Sequence, residues 1–273
     1  MATTSNRRCS GTIQVKLEFG GVLSTSLRPK LISEIVKLIL YQRQQIPVTY
    51  RDVKTEVAQV QVNSQTNGVQ GSAINGAKLS KSDKLKIEFI KTMDMLSDCL
   101  VEAFQVFIPI PEVLIVVGPT LMSPSEVYRL CLPTQVLDGK ILSERDCLSV
   151  LLRNLIGSDI FENVKETKSI NKWTLLVLAP RLGNFGERFC PRLTFKPPTK
   201  GTQFLLDFSC KGKVVNPNIS RSDDLEMSGI EPLENSMATD VDMMETDCSL
   251  HEQKDFEDLI WYELKPSIKG FKM

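Results

Sequence analysis

Apolar and polar positions alternate strictly from Thr12 to Phe19, with Ile13, Val15, Leu17 and Phe19 interleaved with Gln14, Lys16 and Glu18. A period of two with one wet face predicts a half-buried strand, ended by Gly20-Gly21. The period then lengthens. Leu31, Ile35, Leu38 and Ile39 fall on one helical face, and Ile32, Val36 and Leu40 widen it until the helix is apolar on most sides and must be buried. Pro29 suits a first turn, where a missing N–H costs nothing, and Pro47 biases Ile46 away from helix. The spacing therefore predicts a helix from Pro29 to Gln45 whose polar end, Tyr41-Gln42-Arg43-Gln44-Gln45, projects beyond the core.

Beyond Tyr50 the pattern weakens, and residues 58–79 are polar, Gly-rich and aperiodic, which reads as a disordered insertion. Ser80-Lys81-Ser82-Asp83 then offers side-chain acceptors to the free N–H groups of a second long helix. Its stripe is Leu85, Phe89, Met93, Leu96, Leu100, Phe104 and Phe107, and it ends at Pro109. Glu112 to Gly118 is an unbroken, β-branched apolar run, the mark of a strand buried on both faces. Ser123-Pro124-Ser125-Glu126 has the form of a capping box and predicts a short helix through Leu130. Ser143 and Asp146 give a weaker version of that signal for a further helix, closed by Gly157.

Trp173 to Ala179, Leu193 to Lys196 and Phe204 to Cys210 are strand-like runs between Pro/Gly clusters, expected to form an antiparallel meander. Residues 212–254 are acidic, nearly free of aromatics, and too poor in core residues to offset the entropy of ordering them, so they read as a disordered insertion. Phe256 to Lys265 returns to aromatic and β-branched residues and predicts a closing strand. The pattern thus describes one α+β domain over residues 11–273, with two long helices on a mostly antiparallel sheet and a flexible N-terminus at residues 1–10.

Charge narrows the partners. In 273 residues, 33 basic side chains cancel 33 acidic ones, so no global field draws the chain to nucleic acid or to an anionic membrane. No apolar run reaches transmembrane length, and the basic N-terminus has no apolar segment behind it. Seven cysteines stand singly, without a C-x-x-C pair, which argues against zinc and disulfides and for a reducing compartment.

Catalytic signatures are missing from the sequence. The single histidine, His251, lies in the acidic insertion, and there is no G-x-S-x-G elbow, Walker loop or G-x-G-x-x-G turn. Gly183-Asn184-Phe185-Gly186 reads as a tight turn between strands and not as a KH loop. Asp223-Asp224 and the carboxylates from Asp255 to Asp258 read as solvated loop, Arg7-Arg8 as a solvated terminus, and Trp173 and Trp261 as core. The chain is expected to bind rather than catalyse, with no catalytic residues, cofactor or metal.

Four stretches carry a family resemblance: Leu38 to Pro47 (LILYQRQQIP), Pro111 to Tyr128 (PEVLIVVGPTLMSPSEVY), Gly186 to Phe195 (GERFCPRLTF) and the C-terminal DLIWYELKPSIKGF. Together, and in this order, they resemble the comet family of Mad-two-binding proteins. The resemblance implies a HORMA-like domain, helices packed on one face of the sheet with a mobile C-terminal safety-belt region. It also implies a non-enzymatic adaptor that binds the closed conformer of the checkpoint protein Mad-two and presents it to an AAA+ remodelling ATPase of the Pch-two class. The ATPase then dismantles the mitotic checkpoint complex, silencing the spindle checkpoint, in nucleus and cytoplasm and at the mitotic spindle.

The same resemblance places Gln42, beside Tyr41, and Leu152 on the partner-binding surface. The family has an aromatic where this chain has Leu152, and leucine keeps the apolar contact with less area. On spacing alone Leu152, among Leu148, Leu151 and Leu155, reads as core. The family carries a long N-terminal tail that helps engage the ATPase, whereas here only Met1 to Gly11 precede the first predicted strand. Two rivals remain at this point. One is another HORMA-type scaffold closing over a partner peptide in DNA repair or meiosis, and the other is an enzyme using the carboxylates from Asp255 to Asp258.

Overall fold

The run from Val113 to Val117 is no more than 2% exposed at any residue, so neither of its faces meets water, and the rest of the sheet is laid out around it. The computed structural model describes residues 12–66, 79–134, 137–158, 160–161, 170–181, 186–214 and 258–272. In chain order the elements are β1 (Ile13–Phe19), α1 (Leu27–Gln42), α2 (Tyr50–Thr66), α3 (Lys81–Val106), β2 (Glu112–Val117), β3 (Glu126–Cys131) and β4 (Leu137–Asp138). They continue with α4 (Glu144–Ile156), β5 (Lys172–Pro180), β6 (Phe189–Arg192), β7 (Thr202–Cys210), β8 (Lys213–Val214), β9 (Leu259–Leu264) and β10 (Ile268–Lys269).

The main sheet runs β1-β7-β3-β2-β5-β9-β6, with β10 also on β5, while β4 and β8 form a small separate pair. Among the described strands only β7 makes parallel pairs, with β1 on one side and β3 on the other; the other strand pairs are antiparallel. The α+β class and the mostly antiparallel sheet are as expected. The helices cover one face, where Leu17, Ile115, Tyr128, Leu175 and Phe204 meet the apolar sides of α1, α3 and α4. The opposite face alternates out of phase and keeps a smaller cluster of Leu114, Val116, Val127, Leu176 and Trp261. Phe195 packs there edge-on to Trp261, with ring centroids 6.0 Å apart.

Two caps act as their sequences indicate. The Ser80 hydroxyl accepts from the Asp83 N–H at 3.0 Å and opens α3; Ser143 accepts from the Asp146 N–H at 3.2 Å and opens α4, which Gly157 closes. The capping-box reading of Ser123 to Glu126 is overturned, because β3 stands where a helix was expected. There the Ser125 N–H and hydroxyl both donate to the Val117 carbonyl, at 2.8 and 2.9 Å, folding the chain back so that Glu126 to Cys131 pair with β2. Gly118 permits the fold-back: its φ is 153°, and a Cβ would lie 2.9 Å from Pro124 Cα. The hydrogen bonds of two flanking strands outweigh a local cap.

Other boundaries shift too. The predicted insertion at 58–79 begins inside α2, which Val53 and Val57 anchor in the core, so its first residues are helical; residues 67–78 lie outside those described. The strand expected at Leu193 to Lys196 falls instead on β6, and β7 leaves the expected meander to run between β1 and β3. Of the acidic insertion, Gly212 to Val214 belong to the fold and pair β8 with β4, while 215–257, with His251, lie outside the described residues, as do residues 1–11 and 182–185. Cys99, Cys131, Cys147, Cys190 and Cys210 are free thiols. Among the described residues no helix is long and apolar enough to cross a membrane.

Candidate partner-binding surface

The polar end of α1 is built in layers. Arg43 N–H bonds to the Ile39 carbonyl, Gln44 N–H to that of Tyr41 and Gln45 N–H to that of Leu40, at 2.8, 2.9 and 2.9 Å. This is the Schellman pattern, whose penultimate residue must be left-handed. Here that residue is Gln44, with φ 51°, a conformation that a residue with a Cβ adopts at a cost of about 1 to 2 kcal/mol. Gln44→Gly should therefore raise stability by up to about 1 kcal/mol, part of the relief being lost to the freer unfolded chain, as urea denaturation would read.

The tail does not project as a whole, contrary to the sequence reading. Tyr41, Gln42 and Gln44 are exposed, but Arg43 and Gln45 are buried. Arg43 Nε donates to Glu126 Oε2 at 3.0 Å and to the Tyr128 hydroxyl at 3.1 Å, and Nη2 to the Ile160 carbonyl at 2.9 Å. Its guanidinium carbon lies 5.7 Å from the Phe161 ring centre and 5.5 Å from that of Phe204. The Tyr128 hydroxyl donates in turn to Glu126; burial, and then the adjacent carboxylate, hold its pKa well above the usual tyrosine range. Gln45 Oε1 accepts from the Asn171 N–H at 2.7 Å, and Nε2 donates to the Arg43 carbonyl at 3.2 Å. Each buried polar group so described has a partner, and the turn is tied to β3 and to the segments after α4 and before β5.

Above these ties lies the surface. A hollow of about 620 Å³ opens between α1, α2 and α4, lined by Leu38, Tyr41, Tyr50, Lys54 and Leu152 among others. Tyr41 is 41% exposed and Leu152 40%, whereas Leu151 and Leu155 are fully buried. The reading of Leu152 as core on spacing is thus overturned: α4 turns Leu151 and Leu155 inward and Leu152 toward α1. Tyr50 donates to Asp94 Oδ1 at 3.0 Å under the Lys37 ammonium, 4.5 Å from its ring centre; burial and the Asp94 bond push its pKa up. On the other side of Tyr41 a second hollow, of about 610 Å³, is lined by Gln42, Gln44, Ile46, Pro47 and Lys272. Gln42 and Leu152 therefore flank Tyr41 on adjoining hollows, not in a single one.

Tyr50 and Lys272 escaped the sequence reading. A signal for Tyr50 existed in Thr49-x-x-Asp52, where Thr49 Oγ1 accepts from the Asp52 N–H at 3.3 Å and starts α2. Nothing local marks Lys272, which the fold brings in from the far end of the chain. Among the described residues no cluster of His, Cys, Asp or Glu could hold a metal ion, and Asp258, from the acidic group at 255–258, is exposed.

A family model described as "p31comet: Mad1 and Cdc20-bound-Mad2 binding" matches residues 1–226. The chain belongs to the p31comet family. The match contains the α1 end and α4, hence Tyr41, Gln42 and Leu152, and stops short of β9 and β10. The MAD2L1-binding protein of Mus musculus is 27% identical over 214 residues, covering 77% of this chain and 74% of its own length. That of Homo sapiens is 26% identical over 208 residues, covering 74% and 72%. The mixed sheet with helices on one face is consistent with a HORMA-like p31comet fold.

Proposed function

We propose that this chain is a non-enzymatic adaptor that binds the closed conformer of Mad2 through Tyr41, Gln42 and Leu152 and delivers it to an AAA+ ATPase of the Pch-two class. The observation that carries the reading is that α1 and α4 expose Tyr41 and Leu152 on one hollow, within the stretch that matches a Mad2-binding family. Large apolar and aromatic side chains that stay exposed beside a concave surface are what a protein interface uses as anchors. The buried Arg43 network beneath fixes their backbone in advance, which lowers the ordering entropy lost on association.

The nucleotide chemistry belongs to the ATPase, and the chain supplies recognition. Dismantling the mitotic checkpoint complex in this way silences the spindle checkpoint, with action in nucleus and cytoplasm and at the spindle. The stretch carrying β9 and β10 is the safety-belt region of such an adaptor. The test is a titration with Mad2 locked closed and locked open. At least tenfold tighter binding to the closed form is expected, and equal affinity for both would overturn the reading. Adding the ATPase with ATP should then release Mad2 from its peptide only when this chain is present.

A further inference from the structure

The segment after β9 folds back over α3 to the turn that ends α1. Ile268 and Phe271 are buried, and the Phe271 ring lies edge-on to Phe89 with centroids 5.4 Å apart. The Phe271 N–H donates to the Gln45 carbonyl at 2.9 Å. A Cβ on Gly270 would overlap that same carbonyl oxygen and come within 2.9 Å of Gln45 Cβ, so glycine is needed there for close approach. One residue further, Lys272 is exposed and lines the hollow that holds Gln42 and Gln44. The clamp thus grips Gln45, the residue immediately after the left-handed Gln44.

We infer that Ile268 to Lys272 is part of the partner-binding surface, with Gly270 and Phe271 as positioning residues for the Gln42–Gln45 turn and Lys272 as a direct contact. A left-handed residue with a Cβ persists only where its surroundings over-determine it. The ties that over-determine Gln44 are the buried Arg43, the two side-chain bonds of Gln45 and this clamp. The Arg43 bonds and the Gln45 bond to Asn171 come from the body of the domain, the Gln45 bond to the Arg43 carbonyl lies within the turn itself, and the clamp comes from the residues just after β10, which pairs with β5. Releasing β10 would let the turn relax and move Gln42 out of register with Leu152, so the partner reads whether the C-terminal segment is docked. This inference rests on the proposed role of the Tyr41, Gln42 and Leu152 surface.

The experiment titrates closed Mad2 against the full chain and four variants: Gly270→Ala, Lys272→Trp, Gly270→Ala with Gln44→Gly, and the control pair Gln42→Ala with Leu152→Ala. Gly270→Ala should still melt cooperatively, lose tenfold or more in affinity, and show at least tenfold faster hydrogen exchange at the Gln45 and Ile46 amides. Adding Gln44→Gly should restore affinity to within threefold of wild type; with both variants shown by urea denaturation to be folded under the titration conditions, that rescue reports the turn and not the stability that Gln44→Gly adds. Lys272→Trp should still melt cooperatively and lose at least fivefold, because it fills the hollow. Wild-type affinity in a folded Gly270→Ala overturns the positioning role, and wild-type affinity in Lys272→Trp overturns the contact. If Gly270→Ala does not fold, Lys272→Trp decides. Unchanged affinity in the control pair overturns the surface assignment itself, a failure distinct from either of those.

Discussion

Replacing Arg43 with alanine is expected to cost about 3 to 5 kcal/mol of folding stability, the range for removing one partner of a buried ion pair. The side chains of Arg43 and Glu126 are only 5% and 4% exposed, so neither water nor salt can screen the carboxylate that alanine would strand. Among the described residues Glu126 would keep only the Tyr128 hydroxyl, and the Ile160 carbonyl would lose the Arg43 donor. Against a total stability of about 5 to 15 kcal/mol for a typical domain, this change brings the fold near its threshold. Arg43→Ala with Glu126→Gln removes the stranded charge and should recover more than about 1 kcal/mol, the coupling that a double-mutant cycle isolates. Arg43→Lys should fall well short of wild type, since an ammonium cannot reach Glu126 and Ile160 together or stack between Phe161 and Phe204. Urea denaturation of these proteins, together with Glu126→Gln alone to close the cycle, reads all of these. A loss under about 1 kcal/mol in Arg43→Ala would mean that the pair is hydrated and does not anchor the turn.

The second large effect is on binding. Gln42→Ala with Leu152→Ala should weaken the complex with closed Mad2 by tenfold or more, since about 1.4 kcal/mol is one decade and an interface anchor contributes about 1 to 3 kcal/mol. The free protein should stay within about 1 kcal/mol of wild type, because Leu152 is 40% exposed and Gln42 lies at the open end of α1. Leu151→Ala provides the contrast. That neighbour is fully buried and should cost about 2 to 5 kcal/mol of stability with little specific effect on affinity. If the double variant is well folded and binds as wild type, Gln42 and Leu152 do not belong to the site.

How much of this was legible in the sequence depended on whether the deciding force was local. The alternation in β1, the unbroken run of β2 and the serine caps of α3 and α4 are set within a few residues, and they were readable. Ser123 to Glu126 misled because the residues that cap a helix also make a turn, and only the pairing of β3 with β2 and β7 decides between the two. α2 was missed because its apolar stripe is a few valines in a glutamine-rich run, held chiefly by packing on α3. On the proposed surface, Tyr41 and Gln42 could be singled out by resemblance, but the burial of Arg43 and Gln45 could not. A polar residue reads as surface until its partners are known, and these partners lie far along the chain.

The parallel seating of β7 between β1 and β3 bears on how the chain is made. β1, Ile13 to Phe19, has no sheet to join until Thr202 to Cys210 has been synthesised, and β3 likewise waits for it on that side. Contacts of such long sequence separation demand loop closure before they return any stabilisation, so folding is slow and follows translation. Until then the apolar side of β1, with Leu17 and Phe19, is a nascent-chain surface for chaperones to hold, and a product that stops before Thr202 has lost the strand that joins β1 to the rest of the sheet.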